Sequence, residues 1–299
     1  MSSTATDPAY KAISNINFTG GFPTSADLAP SIVFLILYAL TVPVLLWRWF
    51  RKSDRTTLLI RPTIFQACRI GMLVIRAYMS KNTYGAGLLI AELVLVSIGF
   101  LFLIDPVSEC WKTQVASHMP KQEQPGWILR LSWLIKILIL VAIATALGGS
   151  VMISSAIDNP SKLDTVKHLR QTSTVISFVA VIVIALAAIL THYQYPIDLR
   201  GTIYIMTVAA CLTIVSVYRL VQTFSNNPND AVRSRAAFWI LQMTFEFFAF
   251  VLLIGISLPT WFPGEKGRLS KVTSDEEMAR IPQTQQHQAQ FQQYPQQSQ

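Results

Sequence analysis

Seven apolar runs, each about as long as a bilayer is thick, occupy most of residues 28–258. About 20 apolar helical residues, at ~1.5 Å each, cross the ~30 Å hydrocarbon core of a membrane. Polar breaks separate the runs, and Asp105-Pro106 is predicted to end the third. The pattern therefore predicts an all-α polytopic membrane protein, a bundle of seven transmembrane helices. The predicted spans are residues 29–49, 61–79, 84–104, 127–153, 173–193, 201–224 and 237–258.

Composition supports a membrane-embedded bundle. Of the 299 residues, 52% are hydrophobic and only 13% are charged, whereas soluble domains carry about 25% charged residues. The formal charge is +8, and the cations cluster beside the apolar runs. We therefore expect anionic lipid headgroups as partners of the first cytosolic loop. Nucleic acid is not expected as a partner, because no nucleic-acid-binding module is recognisable.

The distribution of Lys and Arg predicts the orientation. The side of the membrane that holds the first loop carries thirteen of them, against nine on the opposite side. The cytosolic side of a membrane protein is the one enriched in cations, so the N-terminus is predicted outside and the C-terminus in the cytosol. The first loop is short and dense in cations, and it contributes Arg48, Arg51, Lys52, Arg55 and Arg61.

These features divide the chain into three parts. Residues 1–27 form an extracellular or lumenal segment, in which Asn17 begins a glycosylation sequon. Residues 28–264 form the transmembrane domain. Residues 265–299 are predicted to be a disordered cytosolic tail, because Gln fills ten of the positions 283–299. The tail is either an inert solvated segment or a site for a cytosolic partner. The expected location is the plasma membrane or another membrane of the secretory pathway.

Charged or polar residues inside the predicted spans are the candidate site, because ionisable groups in lipid are costly unless they are paired or hydrated. Helix counting places Glu92 at a depth between Arg69 and Arg76, so an Arg–Glu ion pair is expected. Arg219 is expected to reach toward Glu246 or the outer interface, and Lys136 to extend to the inner one. The six candidate site residues are Arg69, Arg76, Glu92, Arg219, Gln242 and Glu246.

Two interpretations of these residues remain open. Three arginines against two glutamates suit an anionic group such as a lipid phosphate, held by Arg69 and Arg76. Alternatively, the charges form static pairs that only fix how the helices pack. The pairing hypothesis also predicts that Glu92→Gln destabilises the protein more than Glu246→Gln, because Glu92 is expected to have the nearer arginine.

No catalytic chemistry is indicated. The sequence has no nucleophile elbow and no phosphate-binding loop, and the four histidines are too scattered to predict a metal site. We therefore expect neither an enzyme nor a cofactor. The third helix also lacks the Asp-Arg-Tyr signature of rhodopsin-like receptors, and the seventh has no lysine for a retinal Schiff base. The sequence does not indicate an oligomeric state.

The layout resembles the fungal seven-transmembrane RTA-like family, over residues 28–264. Tyr218-Arg219 closes the sixth helix, Glu246 lies in the seventh, and Pro263-Gly264 follows it. Phe262 stands where that family has a histidine before Pro-Gly, and the acidic signatures after the sixth helix are missing. A neighbouring, uncharacterised fungal membrane family is the alternative. The resemblance implies transport or exchange of a lipid or amphiphile. A receptor-like sensor and a structural membrane protein are the other hypotheses.

Overall fold

The protein is helical throughout the part of the chain that the computed structural model describes, which comprises residues 19–51, 57–120, 122–158, 161–225 and 230–264. Short 3₁₀ turns precede α1, α2 and α7. The helices are α1 Leu28–Phe50, α2 Ile60–Met79, α3 Ala86–His118, α4 Gly126–Asp158, α5 Ser161–Gln194, α6 Leu199–Phe224, α7 Arg235–Gly255 and the short α8 Leu258–Trp261.

Some predictions fall outside the described residues. They are the Asn17 sequon, the first-loop cations Lys52 and Arg55, and the tail after residue 264.

Six helices are long and apolar enough to cross a membrane: α1 and α3–α7. The prediction of an all-α polytopic membrane protein is therefore confirmed, but with six such helices instead of seven. The second predicted span, residues 61–79, folds as the 20-residue helix α2 and is not among the six. α2 is less apolar than the six because its buried face carries the polar or charged residues Gln66, Arg69 and Arg76.

Two predicted boundaries were wrong. Asp105 and Pro106 do not end the third span, because α3 continues through both residues to His118. Membrane helices tolerate such prolines when neighbouring groups compensate for the lost backbone hydrogen bond. Asp105 itself pairs with Arg61 of α2. The fifth span begins at Ser161, twelve residues before the predicted start.

The bundle is built around α3. Consecutive helices pack against each other, and α3 also contacts α5, α6 and α7. This central position explains why every residue of α3 from Gly99 to Ser108 except Phe102 is buried. The last long helix, α7, packs against α1 and α2 and so closes the bundle. We call the end at which α1 begins the amino-terminal end.

The surface of the bundle is apolar where lipid would cover it. In the most apolar stretch of α1, only 17% of the residues are buried inside the protein. The exposed side chains of α1 include Val33, Leu40 and Trp47. Monomeric soluble proteins rarely expose such a large continuous apolar face, and the hydrocarbon core of a membrane accommodates it.

Candidate functional site

Asp27, immediately before α1, is the centre of a buried polar cluster at the amino-terminal end of the bundle. Its Oδ1 accepts hydrogen bonds from Arg76 Nη2, at 3.0 Å, and from Trp239 Nε1, at 3.2 Å. The same arginine donates through Nη1 to Glu92 of α3. We call Asp27, Arg76, Glu92 and Trp239 the Asp27 cluster. It joins α1, α2, α3 and α7 through side chains that are less than a tenth exposed.

The chain before α1 covers this cluster. The backbone N–H of Thr24 donates to Asp27 Oδ2 at 3.0 Å, in the manner of a helix capping box. The carbonyl oxygen of Thr19 accepts from Arg76 Nη2 at 2.9 Å. Arg235 lies at the edge, with its Nε 3.8 Å from Asp27 Oδ2. Residues 19–27 are therefore part of the folded bundle.

A second buried cluster lies deeper, around Arg69. Its Nε and Nη2 are 2.8 Å and 2.6 Å from Oε2 of Glu246 in α7. Gln242 Nε2 donates to the other carboxylate oxygen of Glu246, at 3.2 Å. The remaining donors of Arg69 reach the backbone carbonyl oxygens of Leu95 and Val96 in α3, both at 3.2 Å. We call Arg69, Gln242 and Glu246 the Arg69 cluster.

Local sequence explains how one helix serves both clusters. Arg69 and Arg76 are seven residues apart, so they lie on one face of α2 at two depths. In α7, a π-helical segment over Phe238–Thr244 carries Trp239 to the first cluster and Gln242 to the second. Such segments are rare in proteins and are frequent at functional sites.

Small and aromatic residues make room for Arg69. A methyl group added at Gly99 would lie 2.9 Å from Arg69 Nη1, so the glycine permits the close approach of the guanidinium. The Phe65 ring centroid lies 5.1 Å from the guanidinium carbon of Arg69. Gly99 follows Glu92 by seven residues, so the two lie on one face of α3, and both are buried within the bundle.

Each buried arginine of the two clusters is paired with at least one carboxylate. Three carboxylates, those of Asp27, Glu92 and Glu246, face two arginines with no exposed side-chain surface. Every side-chain nitrogen of Arg69 and Arg76 is bonded to a protein oxygen. Both side chains are also fully buried, so in this conformation neither arginine is exposed to a ligand.

Arg219 lies elsewhere, on a cleft between α3, α4, α5 and α6. Its guanidinium carbon is 4.8 Å from the ring centroid of Phe100. A second arginine, Arg170 of α5, lines the same cleft. We call this space the arginine cleft. Its enclosed space is small, and the empty volume of about 380 Å³ includes open solvent at its mouth. Its polar lining consists of Ser97, Ser150, Arg170, Ser173, Thr174 and Arg219.

The six predicted site residues thus fall into three places. Glu92 pairs with Arg76, as the depth estimate allowed. Arg219 was expected to reach toward Glu246, and it is close enough to interact with it electrostatically. The hydrogen bonds that Glu246 accepts, however, come from Arg69 and Gln242. A single constellation of three arginines and two glutamates is therefore not formed.

Three charged residues at these sites were missed. Asp27 was assigned to the polar N-terminal segment, although Thr24-x-x-Asp27 before an apolar run is a sequence signal for a helix start. Arg170 was placed in a loop, although Val166, Ser173 and Ser177 continue the helical spacing of α5 on both sides of it. The third is Arg235, at the first residue of α7.

At the opposite end of the bundle, the Lys136 side chain is half-exposed and lies at the surface instead of in the interior. Its Nζ lies 2.7 Å from Glu109 Oε1. Among the residues that the structure describes, no three His, Cys, Asp or Glu side chains are grouped so that they could hold a metal ion.

Comparisons with protein-family models, with curated protein sequences and with solved structures found no match to this chain.

Proposed function

We propose that this protein binds a lipid or amphiphile within the membrane and exchanges it through the arginine cleft. One observation carries the proposal: Arg170 and Arg219 line a cleft that opens between four apolar helices. Cationic side chains are costly in the hydrocarbon core unless they have a purpose such as pairing or ligand contact. A cleft between helices at membrane depth is a site that a lipid can enter from the side.

The topology that we propose has seven spans, with α2 counted among them. Although α2 is less apolar than the others, it packs between α1 and α3, and its outward face exposes Ile64, Val74 and Tyr78. Seven spans with the N-terminus outside and the C-terminus in the cytosol place Arg51 and Arg61 on the cytosolic side. The arginine cleft then lies in the outer half of the membrane.

This proposal moves the ligand site away from the residues that sequence reasoning favoured. Arg69 and Arg76 are fully enclosed and bonded to protein, so a headgroup would have to displace two buried carboxylates to reach them. Buried ion pairs of this kind are disrupted only at a cost of several kcal/mol. Arg219, in contrast, borders open space. The RTA-like resemblance and a fungal origin remain predictions that agree with this proposal.

Lipid translocation in reconstituted liposomes tests the proposal. Wild-type protein is expected to accelerate loss of the inner-leaflet fluorescence of labelled phospholipids to a membrane-impermeant quencher. Ser150→Leu fills the cleft and should slow that process several-fold. The matched control is Thr145→Leu on the same helix, because both hydroxyls donate back to their own helix and only Ser150 lines the cleft. Folded wild-type protein that accelerates nothing would refute the proposal.

A second candidate function is a receptor-like sensor. The observation that favours it is the direct bonding of residues 19–27 to α2 and α7 across the π-helical segment. A ligand that displaces Asp27 from Trp239 would alter α7 without any transport. Tryptophan fluorescence of Trp239 on addition of lipid separates the two functions, since a sensor responds there and Ser150→Leu leaves that response intact.

A further inference from the structure

Two carboxyl groups of the Asp27 cluster share one guanidinium. Arg76 donates through Nε and Nη2 to Asp27 Oδ1, at 3.3 Å and 3.0 Å, and through Nη1 to Glu92 Oε1. None of the three side chains has any exposed surface. In the Arg69 cluster, by contrast, Arg69 pairs with the single carboxylate of Glu246. If both acids of the Asp27 cluster were ionised, one buried negative charge would therefore lack a buried cation among the described residues.

Arg235 is the cation at the edge of this cluster, and it lies at the surface. Its side chain is 42% exposed, and its Nε is 3.8 Å from Asp27 Oδ2. Because water screens the charge of an exposed guanidinium, Arg235 offsets the charge of Asp27 only in part. The charges that act most strongly on Glu92 are those of Arg76 and Asp27. The other charged or titratable side chains in this half of the interior are Arg69 and Glu246, which pair with each other, and Arg170, Tyr218 and Arg219 near the arginine cleft.

The second oxygen of the Glu92 carboxyl group, Oε2, is buried and has no hydrogen-bond partner among the residues that the structure describes. An ionised carboxylate accepts hydrogen bonds at both oxygens, and a charged group without such partners is costly in a protein interior. A proton on Oε2 removes that charge. In α1 and α7, which meet Glu92 at the Asp27 cluster, three further buried oxygens also have no partner in this part of the chain: Ser31 Oγ, Tyr38 OH and Gln242 Oε1. Such unpaired acceptors leave capacity for an added donor, directly or through an internal water.

We propose that Glu92 is a proton-binding site and carries a proton at neutral pH, at which a glutamate in water is ionised. The proton comes from solvent and forms an O–H bond at Oε2. Arg76 then bonds to the carbonyl oxygen of a neutral acid and to the carboxylate of Asp27. One proton leaves two carboxylates against two arginines in the two buried clusters. The site is separate from the arginine cleft, so the inference does not depend on lipid exchange.

The position of the cluster gives the proton a way in from the amino-terminal end of the bundle. Asp27 Oδ2 accepts a hydrogen bond from the backbone N–H of Thr24 and faces Arg235, which is partly exposed. Residues 19–27 lie over the cluster, so displacement of this short segment opens Asp27 and Arg76 to water. The proton is therefore exchanged with the side of the membrane on which α1 begins. In the topology that we propose, this is the outer side.

Infrared spectroscopy of the purified full-length protein in neutral detergent tests this inference, because a protonated carboxyl group has a C=O stretching band that a carboxylate lacks. Wild-type protein at neutral pH should show such a band, and Glu92→Gln should abolish it. Glu109→Gln makes the same change on the same helix, where the carboxylate pairs with Lys136, and should keep the band. Asp27→Asn removes the acid that shares Arg76 and leaves Glu92 in place. Glu92 should then ionise, and the band should disappear.

Three outcomes would overturn the inference. The first is a wild-type spectrum at neutral pH without a band that Glu92→Gln removes. The second is a band that persists in folded Asp27→Asn, because the proton would then not depend on the shared arginine. The third is a band that sodium chloride abolishes at constant pH while choline chloride does not, which would assign the site to Na⁺ instead. Loss of the band in both Glu92→Gln and Asp27→Asn, with no effect of either salt, would support the proton site.

Discussion

Arginines occupy two regions of this bundle in opposite ways. In the Asp27 and Arg69 clusters, every guanidinium nitrogen is bonded to protein and the side chains are fully enclosed. In the arginine cleft, Arg170 and Arg219 both line open space. The first arrangement encloses its arginines completely, whereas we propose that the second admits a ligand. Burial of a charge in a membrane helix therefore does not by itself identify a functional site, and the two regions differ in whether their arginines reach open space.

The largest effect on folding is expected from Arg76→Leu. This change leaves the carboxylates of Asp27 and Glu92 buried without their arginine, and one uncompensated buried charge already costs about 3–5 kcal/mol. Thermal unfolding of purified protein in detergent should show a large loss of stability or no folded protein. Arg130→Leu, at an exposed position, is the control. A loss equal to that of the control would contradict the structural role of the Asp27 cluster.

Glu246→Gln should destabilise the protein more than Glu92→Gln, which is the reverse of the order expected from the sequence. Glu92→Gln leaves Arg76 paired with Asp27 and should cost about 1–2 kcal/mol. Glu246→Gln removes the only carboxylate bonded to Arg69 among the described residues and should cost about 3 kcal/mol or more. Denaturant unfolding of the two variants measures the difference. A larger loss for Glu92→Gln would show that Asp27 does not stabilise Arg76.

Gly99→Ala probes the tight space around Arg69. The added methyl group would lie 2.9 Å from Arg69 Nη1, so the arginine or the helix must shift, at about 1–3 kcal/mol. Gly87→Ala is the matched control on the same helix, because its methyl group would meet nothing within 4 Å. Thermal unfolding of both variants should separate them, and equal stability would mean that the Arg69 cluster is loosely packed.

The smallest effect on stability is expected in the cleft. Arg170→Gln or Arg219→Gln alters a side chain that lines open space and should change the free energy of unfolding by less than about 1 kcal/mol. The same variants should slow lipid translocation in liposomes, so stability and transport respond to different arginines. Destabilisation by several kcal/mol would place the cleft arginines with the structural ones.

Sequence reasoning predicted the membrane bundle well, because bilayer thickness sets run length directly. It was weaker at the ends of helices. Pro106 was read as a break, but the packed neighbours of α3 allow the helix to continue. Arg170 was lost in the same way when the start of α5 was placed too late. Boundaries depend on tertiary packing that a single sequence does not record.

The candidate residues were found, and their partners only in part. Depth counting brought Glu92 close to Arg76 but could not choose between the two arginines of α2. It also missed Asp27, because an acid just outside an apolar run gives no sign that residues 19–27 fold over the bundle. The π-helical segment of α7 shifts the register there and decides which side chains meet Arg69. Neither feature has a length or composition signal.

The most direct test removes the buried Arg69–Glu246 ion pair and leaves the arginine cleft unchanged. Arg69→Met combined with Glu246→Met exchanges a buried ion pair for apolar side chains, a change that folded proteins often tolerate. Lipid translocation in liposomes is then measured beside Arg219→Gln. We predict that the double variant folds and still translocates lipid, while Arg219→Gln folds and does not. A folded double variant that has lost translocation, beside an active Arg219→Gln, would assign function to the buried pair instead of the cleft.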